Sequence, residues 1–300
     1  MLTNIIKQII PQKVWKTIRR WRIISAHKRV ALICHSTISK EKSDCHYLHP
    51  INKDVIGKKI IWQYWAQGYD NGQVPELVRV CLDSVERHKG DYTVIRLTDD
   101  NLSDYISLPD YVQEKREHFP RAFFSDLLRT MLLATYGGVW LDATVLLTGP
   151  LPARYEAYDF FMFQRDNNEA HQDYWESVYA YYYGWAEKFR VRMLSSIIFA
   201  KKGSIVINEL CQALLTFWKD EDILPDYFFY QILFHELING KLTEHNCPIE
   251  SDCRPHYLQQ LLNDNFPYAT ADEILQQISI HKLSYKTNTV EKLRQLLPNL

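Results

Sequence analysis

A glycine pair, Gly137-Gly138, constrains this chain more than any other feature. Before it runs Arg121-Ala-Phe-Phe-Ser-Asp-Leu-Leu-Arg129, in which Phe123, Phe124, Leu127, Leu128, Met131 and Leu132 recur at helical spacing. That periodicity predicts a helix with one face in a core. The glycines stand where such a helix needs residues tolerant of left-handed dihedrals in order to stop. Val139, Trp140 and Leu141 then favour a short strand, and the strand ends in Asp142. Alternation along a strand puts Trp140, Asp142 and Thr144 on one face. On the helix, Arg121, Ser125 and Arg129 are spaced by four and form a polar edge, with Asp126 beside it.

Two readings compete for these polar residues. In the first, Asp126 and Arg129 are an ion pair at the rim of a core helix and Asp142 is an ordinary strand-end residue. In the second, Asp142 ligates a divalent metal while Asp126 and Arg129 hold a sugar.

The string Ser125-Asp126-Leu-Leu-Arg129, followed by Tyr136-Gly-Gly-Val-Trp-Leu-Asp142-Ala-Thr144, resembles the core of the capsular polysaccharide synthesis proteins. Those are similar to glycosyltransferase family 32 and, more distantly, to the glucosylating domain of large clostridial toxins. The resemblance covers roughly residues 58–152 well and the C-terminal half thinly. It implies an α/β fold of the GT-A, Rossmann-like type, a nucleotide-sugar donor, a divalent metal and retention of anomeric configuration. It favours the second reading, with Asp126, Arg129 and Asp142 as catalytic residues and Arg121, Ser125 and Trp140 on the donor.

Where most GT-A enzymes carry Asp-x-Asp, this chain has Asp142-Ala143-Thr144. The capsular branch looks similar in this respect. One carboxylate and one hydroxyl leave Mg²⁺ or Mn²⁺ dependent on diphosphate oxygens and water. The segment Ile278-Ser-Ile-His281-Lys282-Leu-Ser284-Tyr-Lys286 resembles the closing motif of the same proteins. It offers Lys282 for phosphate charge and His281 as a third metal ligand, beside the alternative of a solvated strand end. The first strand, beginning at Ile60, ends in Gln63-Tyr64-Trp65. A strand followed by a helix opening at Pro75 is the βα start of a nucleotide-binding half. In the resembling families that strand end holds the nucleoside, which implicates Gln63, Tyr64 and Trp65.

Charge divides the chain. Residues 1–40 hold nine Lys or Arg and no Asp or Glu, leaving 26 basic against 36 acidic residues in 41–300. The main domain is therefore no nucleic-acid binder by its charge. Residues 1–40 read as one or two basic amphipathic helices interrupted at Pro11. Ile5, Ile6, Ile9 and Ile10 form one patch; Val14, Ile18 and Trp21 form another, among Lys13, Lys16, Arg19, Arg20 and Arg22. That pattern suits contact of residues 1–30 with an anionic membrane surface, or with a protein partner, or a helix packed on the main domain. Residues 41–57 read as a linker and 58–300 as the transferase domain, whose C-terminal half is helical and aromatic-rich. Six scattered cysteines and no secretory signal point to a cytoplasmic protein, and the membrane-contact reading of residues 1–30 would place it at the inner face of the cell membrane.

The run Tyr174, Trp175, Tyr179, Tyr181, Tyr182, Tyr183 and Trp185 suits helix packing, with a minority left to dock a saccharide or lipid-linked acceptor. Asp226 is either an N-cap or an acceptor-side carboxylate. Cys247, Cys253, His245 and His256 have zinc-ligand types at a spacing that fits no standard finger. The expectation is a metal-dependent glycosyltransferase using a UDP-sugar. A Mg²⁺-dependent nucleotidyltransferase would need a Gly-rich phosphate loop, which this chain lacks. A non-catalytic scaffold built on a degenerate transferase is the other alternative.

Overall fold

A computed structural model describes residues 11–40, 47–69, 72, 74–287 and 289–298. The isoleucine patch at 5–10 and residues 41–46, with Cys45, lie outside the described residues. Helix α1 (Gln12–Ser39) begins directly after Pro11. Strand β1 (Ile60–Tyr64) leads through α2 (Glu76–His88) to β2 (Thr93–Leu97). After the short α3 (Asp110–Lys115), α4 (Arg121–Tyr136) runs into β3 (Gly138–Leu141), and β4 (Val145–Leu147) follows a turn. Then come β5 (Phe160–Gln164), α5 (Gln172–Tyr179), β6 (Met193–Ala200), α6 (Ile205–Asp220) and α7 (Phe229–Ile238). The chain closes with α8 (Tyr257–Leu262), α9 (Ala271–Gln277), β7 (Ile280–Lys282) and α10 (Val290–Leu296).

The main sheet has the order β2-β1-β3-β6-β5. Strands β2, β1 and β3 are parallel, while β6 runs antiparallel to both β3 and β5. The fold is thus the expected α/β class, with the parallel half of a nucleotide-binding sheet at one side. In such sheets ligands bind outside the carboxyl ends of the strands. Here that edge holds Trp65, Thr98 and Asp142, together with the start of β6.

Helix α4 departs from the expected one-sided pattern. Besides its apolar residues, Asp126, Arg129, Thr130 and Thr135 are buried, because α6 covers it on one side and β3 and β6 on the other. Each buried Leu or Phe contributes roughly 1.5–3 kcal/mol. Six of them outweigh the several kcal/mol that each buried ion costs. The helix can therefore carry charged residues inward without unfolding.

The glycine pair works as anticipated, and for a sharper reason. Gly137 has φ 75° and Gly138 φ 104°. A Cβ on the first would lie 2.5 Å from the Lys202 backbone N, and on the second 2.6 Å from the Ile60 carbonyl O. The helix end thus touches two neighbouring strands through bare backbone. Residues 47–57 are tied down as well. The Tyr136 hydroxyl accepts from the backbone N–H groups of Ile51 and Asn52 and donates to the Tyr105 carbonyl.

A two-stranded ribbon brings the C-terminus back. β4 pairs antiparallel with β7, with Val145 opposite Lys282, and Leu283 N–H donates to the Thr144 carbonyl.

Candidate active site

Asp142 sits one residue past β3, its N–H donating to the Ser196 carbonyl of the adjacent strand at 3.0 Å. Its side chain is one quarter exposed. Oδ1 accepts from the Trp140 indole N–H at 2.8 Å, and Oδ2 accepts from the Lys282 ammonium at 2.9 Å. The same ammonium lies 2.5 Å from Thr144 Oγ1. Trp140, Asp142 and Thr144 therefore do converge. Thr144 arrives by the 142–145 turn, closed by Val145 N–H to the Asp142 carbonyl, and not by strand alternation.

Arg129 lies beneath this group. One guanidinium nitrogen donates to the Ser195 carbonyl at 2.5 Å, and others to the Ser125 carbonyl and hydroxyl. It is 3.4 Å from Asp126 and 3.5 Å from Asp142, and its plane lies over the Trp140 ring at 5.1 Å. Asp126 and Arg129 thus form the ion pair of the first reading, and the pair touches the strand-end carboxylate.

The two carboxylates differ in charge state. Burial pushes the Asp126 carboxyl up to about 7, with Arg129 opposing and Asp142 reinforcing the rise. Burial would raise Asp142 too, but Lys282 and Arg129, with the bonds from Lys282 and Trp140, hold it well below the usual carboxylate range. Near neutral pH Asp142 is ionised and Asp126 is poised between its two forms.

Of the β1-end residues, Gln63 is fully buried, and neither end of its amide has a hydrogen-bond partner. Tyr64 donates to Asp99 at 2.6 Å, and Arg116 holds the same carboxylate. Trp65 is half-buried, packs on the cluster that includes Ala143, and meets the Tyr285 ring edge-on at 5.8 Å. Arg121 is exposed at the helix start. Ser125 is half-buried and spends its hydroxyl on Arg129.

His281 does not join Asp142 and Thr144. It is fully buried, and its Nε2 pairs with Thr148 Oγ1 at 3.0 Å. Burial pushes its pKa down to about 3. Alternation along β7 sends Lys282 to one side and His281 to the other. Nor do the candidate zinc residues assemble: among the described residues no group of three His, Cys, Asp or Glu could hold a metal ion. All five described cysteines are buried. Asp226 accepts from Phe228 N–H at 2.8 Å, capping the turn before α7.

Two neighbours had no signal in the sequence. Gln231 on α7 donates to Ser195 Oγ at 3.3 Å and leaves its amide oxygen buried without a partner. Tyr227, just before α7, keeps an exposed ring, and its phenol pKa is raised first by partial burial and then by Asp126, Tyr179 and Asp142. A helix starting at 229 lies far in sequence from 126 and 142, and no local pattern pairs them. Most of the 165–189 aromatics serve packing. Tyr182, Tyr183 and Trp185 surround Arg165, whose guanidinium forms two 2.8 Å bonds to the buried Asp252 carboxylate.

The donor set for a divalent cation is one ionised carboxylate and one hydroxyl. It suits a hard ion that brings diphosphate oxygens and water for the rest of its shell. The residues therefore fit a cation that arrives with a nucleotide diphosphate.

The acid–cation cluster lies beyond the carboxyl ends of the parallel strands, where α/β sheets of this kind present their ligands. The model of the capsular polysaccharide synthesis proteins matches residues 26–297, and the chain belongs to that family. It is similar to the O-glycosyltransferase braB of Annulohypoxylon truncatum, 31% identical over 105 residues. That match takes in 32% of this chain and spans about a quarter of the relative, 24% of its length. Among solved structures it is similar to PaToxG Glycosyltransferase, at 14% identity and a TM-score of 0.34, over 77% of this chain and 84% of that one.

Proposed function

We propose that this protein is a metal-dependent glycosyltransferase. It moves a sugar from a nucleotide-sugar donor, a UDP-sugar, to a growing capsular or cell-surface polysaccharide or lipid-linked oligosaccharide. Family membership and the glycosyltransferase names of its relatives support the reaction class. The observation that carries the reading is the cluster of ionised Asp142, Lys282 and Arg129 at the sheet's carboxyl edge.

Breaking the anomeric bond builds negative charge on the departing diphosphate. Lys282, one bond away from Asp142, is free to turn its ammonium to those oxygens as they charge. Arg129 is held by Ser125 and Ser195 and adds fixed positive charge beneath them. Asp126, when ionised, accepts from sugar hydroxyls. The unpartnered Gln63 amide is a buried donor and acceptor that a nucleoside base can satisfy. Mn²⁺ or Mg²⁺, held by Asp142 and Thr144, would supply further neutralisation of the diphosphate. No side chain stands out as a covalent nucleophile, so the acceptor hydroxyl attacks on the face that the diphosphate leaves. The new C–O bond forms as the old one breaks, and the hydroxyl proton passes to a diphosphate oxygen. The product keeps the donor's anomeric configuration.

Donor hydrolysis by purified protein, tested over UDP-, GDP- and CMP-sugars with and without Mn²⁺, examines this. Metal-dependent release of one nucleotide, lost in Asp142→Asn, supports the transferase. Absence of both hydrolysis and nucleotide binding would favour the scaffold alternative. Inversion at the anomeric carbon would refute the front-face step.

A further inference from the structure

Helix α1 has two apolar faces, and folding uses only one. Ile23, Val30, Ala31 and Cys34 are buried, where the helix packs on α6 and α7. On the opposite side Val14, Ile18, Trp21 and Leu32 are exposed, Trp21 at 69% and Leu32 at 63%. Positions 14, 18, 21, 25 and 32 fall in one stripe at 3.6 residues per turn. Exposed cations border it: Arg22, Lys28 and Arg29. No acidic residue occurs anywhere in the first 40 positions.

A solvated stripe of this kind costs solubility and contributes nothing to the core. It matches a surface that is apolar just beneath and negative above. Among the described residues no helix is long and apolar enough to cross a membrane. We propose that α1 docks flat on an anionic phospholipid bilayer, with Trp21 and Leu32 in the headgroup–acyl boundary and the flanking cations on the lipid phosphates. This goes beyond the transferase reading and stands or falls separately from it.

The packing of α1 ties the docked surface to the site. Glu236 on α7 is held by His35 of α1 and by Arg190, and Tyr230 of the same helix meets Thr130 on α4. A cavity of about 400 Å³ opens between Arg22 and Arg29 of α1 and the loop carrying Asp226 and Tyr227.

The test is co-sedimentation of the full chain with phosphatidylcholine vesicles, with and without phosphatidylglycerol. The expected result is salt-sensitive binding only to the anionic vesicles. Arg22→Ser with Arg29→Ser should weaken it roughly thirty-fold, at the usual contribution of a cation near an anionic surface. Trp21→Ser with Leu32→Ser should weaken it at least as far, and both pairs should melt like the parent because all four positions are exposed. Absence of vesicle binding by the parent overturns the proposal. So does equal binding to neutral vesicles, or binding that both double variants retain. A parent dimer that Trp21→Ser with Leu32→Ser converts to monomer, without vesicle binding, would assign the stripe to a second copy of this chain and overturn it too.

Discussion

The Lys282 ammonium lies 2.9 Å from Asp142 Oδ2, across 140 residues of sequence. It also touches Thr144 Oγ1 and so stands between the two side chains proposed to ligate a metal. Two cations so close repel strongly in a partly dehydrated site. A metal held there would require the ammonium to leave, and a bound diphosphate would give it somewhere to go. Calorimetric titration of the parent with Mn²⁺ should show weak binding without nucleotide and clear binding with it. Lys282→Ala should gain nucleotide-independent Mn²⁺ binding while losing about 10²-fold or more in turnover. Unchanged titrations in the variant would reject the placeholder role.

Asp126 should make stability fall as pH rises. Its folded-state pKa of about 7 exceeds the ordinary carboxyl value of 3.8, so between those pH values the folded chain holds more protons than the unfolded one. Stability from this group is present at acid pH and is lost on approaching neutrality. Asp126→Asn removes that dependence. In urea denaturation at several pH values, the variant should gain on the parent progressively from about pH 4 to pH 7. A constant difference across that window would contradict the raised pKa. If the ionised form holds the sugar, parent turnover should also rise through about pH 7.

Gly137→Ala and Gly138→Ala should each cost about 2–4 kcal/mol, from positive φ and from contact with backbone that cannot give way. Differential scanning calorimetry would register this as a clear drop in Tm. A variant that melts like the parent would mean the helix end is not as closely packed as described.

Asp252→Ala should be more damaging than any exposed ion-pair change. It leaves the Arg165 guanidinium buried among Tyr182, Tyr183 and Trp185 with only the carbonyls of Tyr182 and Gly184. Breaking one side of a buried pair costs about 3–5 kcal/mol. Arg154→Ala, which breaks an exposed pair with Glu250, should cost under about 1 kcal/mol by the same urea denaturation. Equal losses would remove the distinction.

Much of the fold is written in local pattern. The helix of 121–136, its glycine stop, the strand and the terminal acid follow from periodicity and backbone freedom, which need no distant partner. So does the βα opening, strand β1 from Ile60 and helix α2 directly after Pro75. The ordering of those parts also put Asp142 at a strand end, where an α/β sheet exposes its ligands.

Only tertiary structure decided what surrounds that acid. The β4–β7 register chose Lys282 over His281, since shifting a strand by one residue exchanges the two faces. Covering by α6 and β6 turned Arg129 from a helix-edge residue into a buried cation on Asp142 and Ser195. Helix α7 supplied Gln231, which no local spacing connects to residue 195. Likewise α1 carries two apolar stripes, so periodicity alone could not say which faces the core, and contact with α6 and α7 settles it. Charge states follow the same division: residue types are local, but the dielectric and neighbours that part Asp126 from Asp142 exist only once the chain has closed around them.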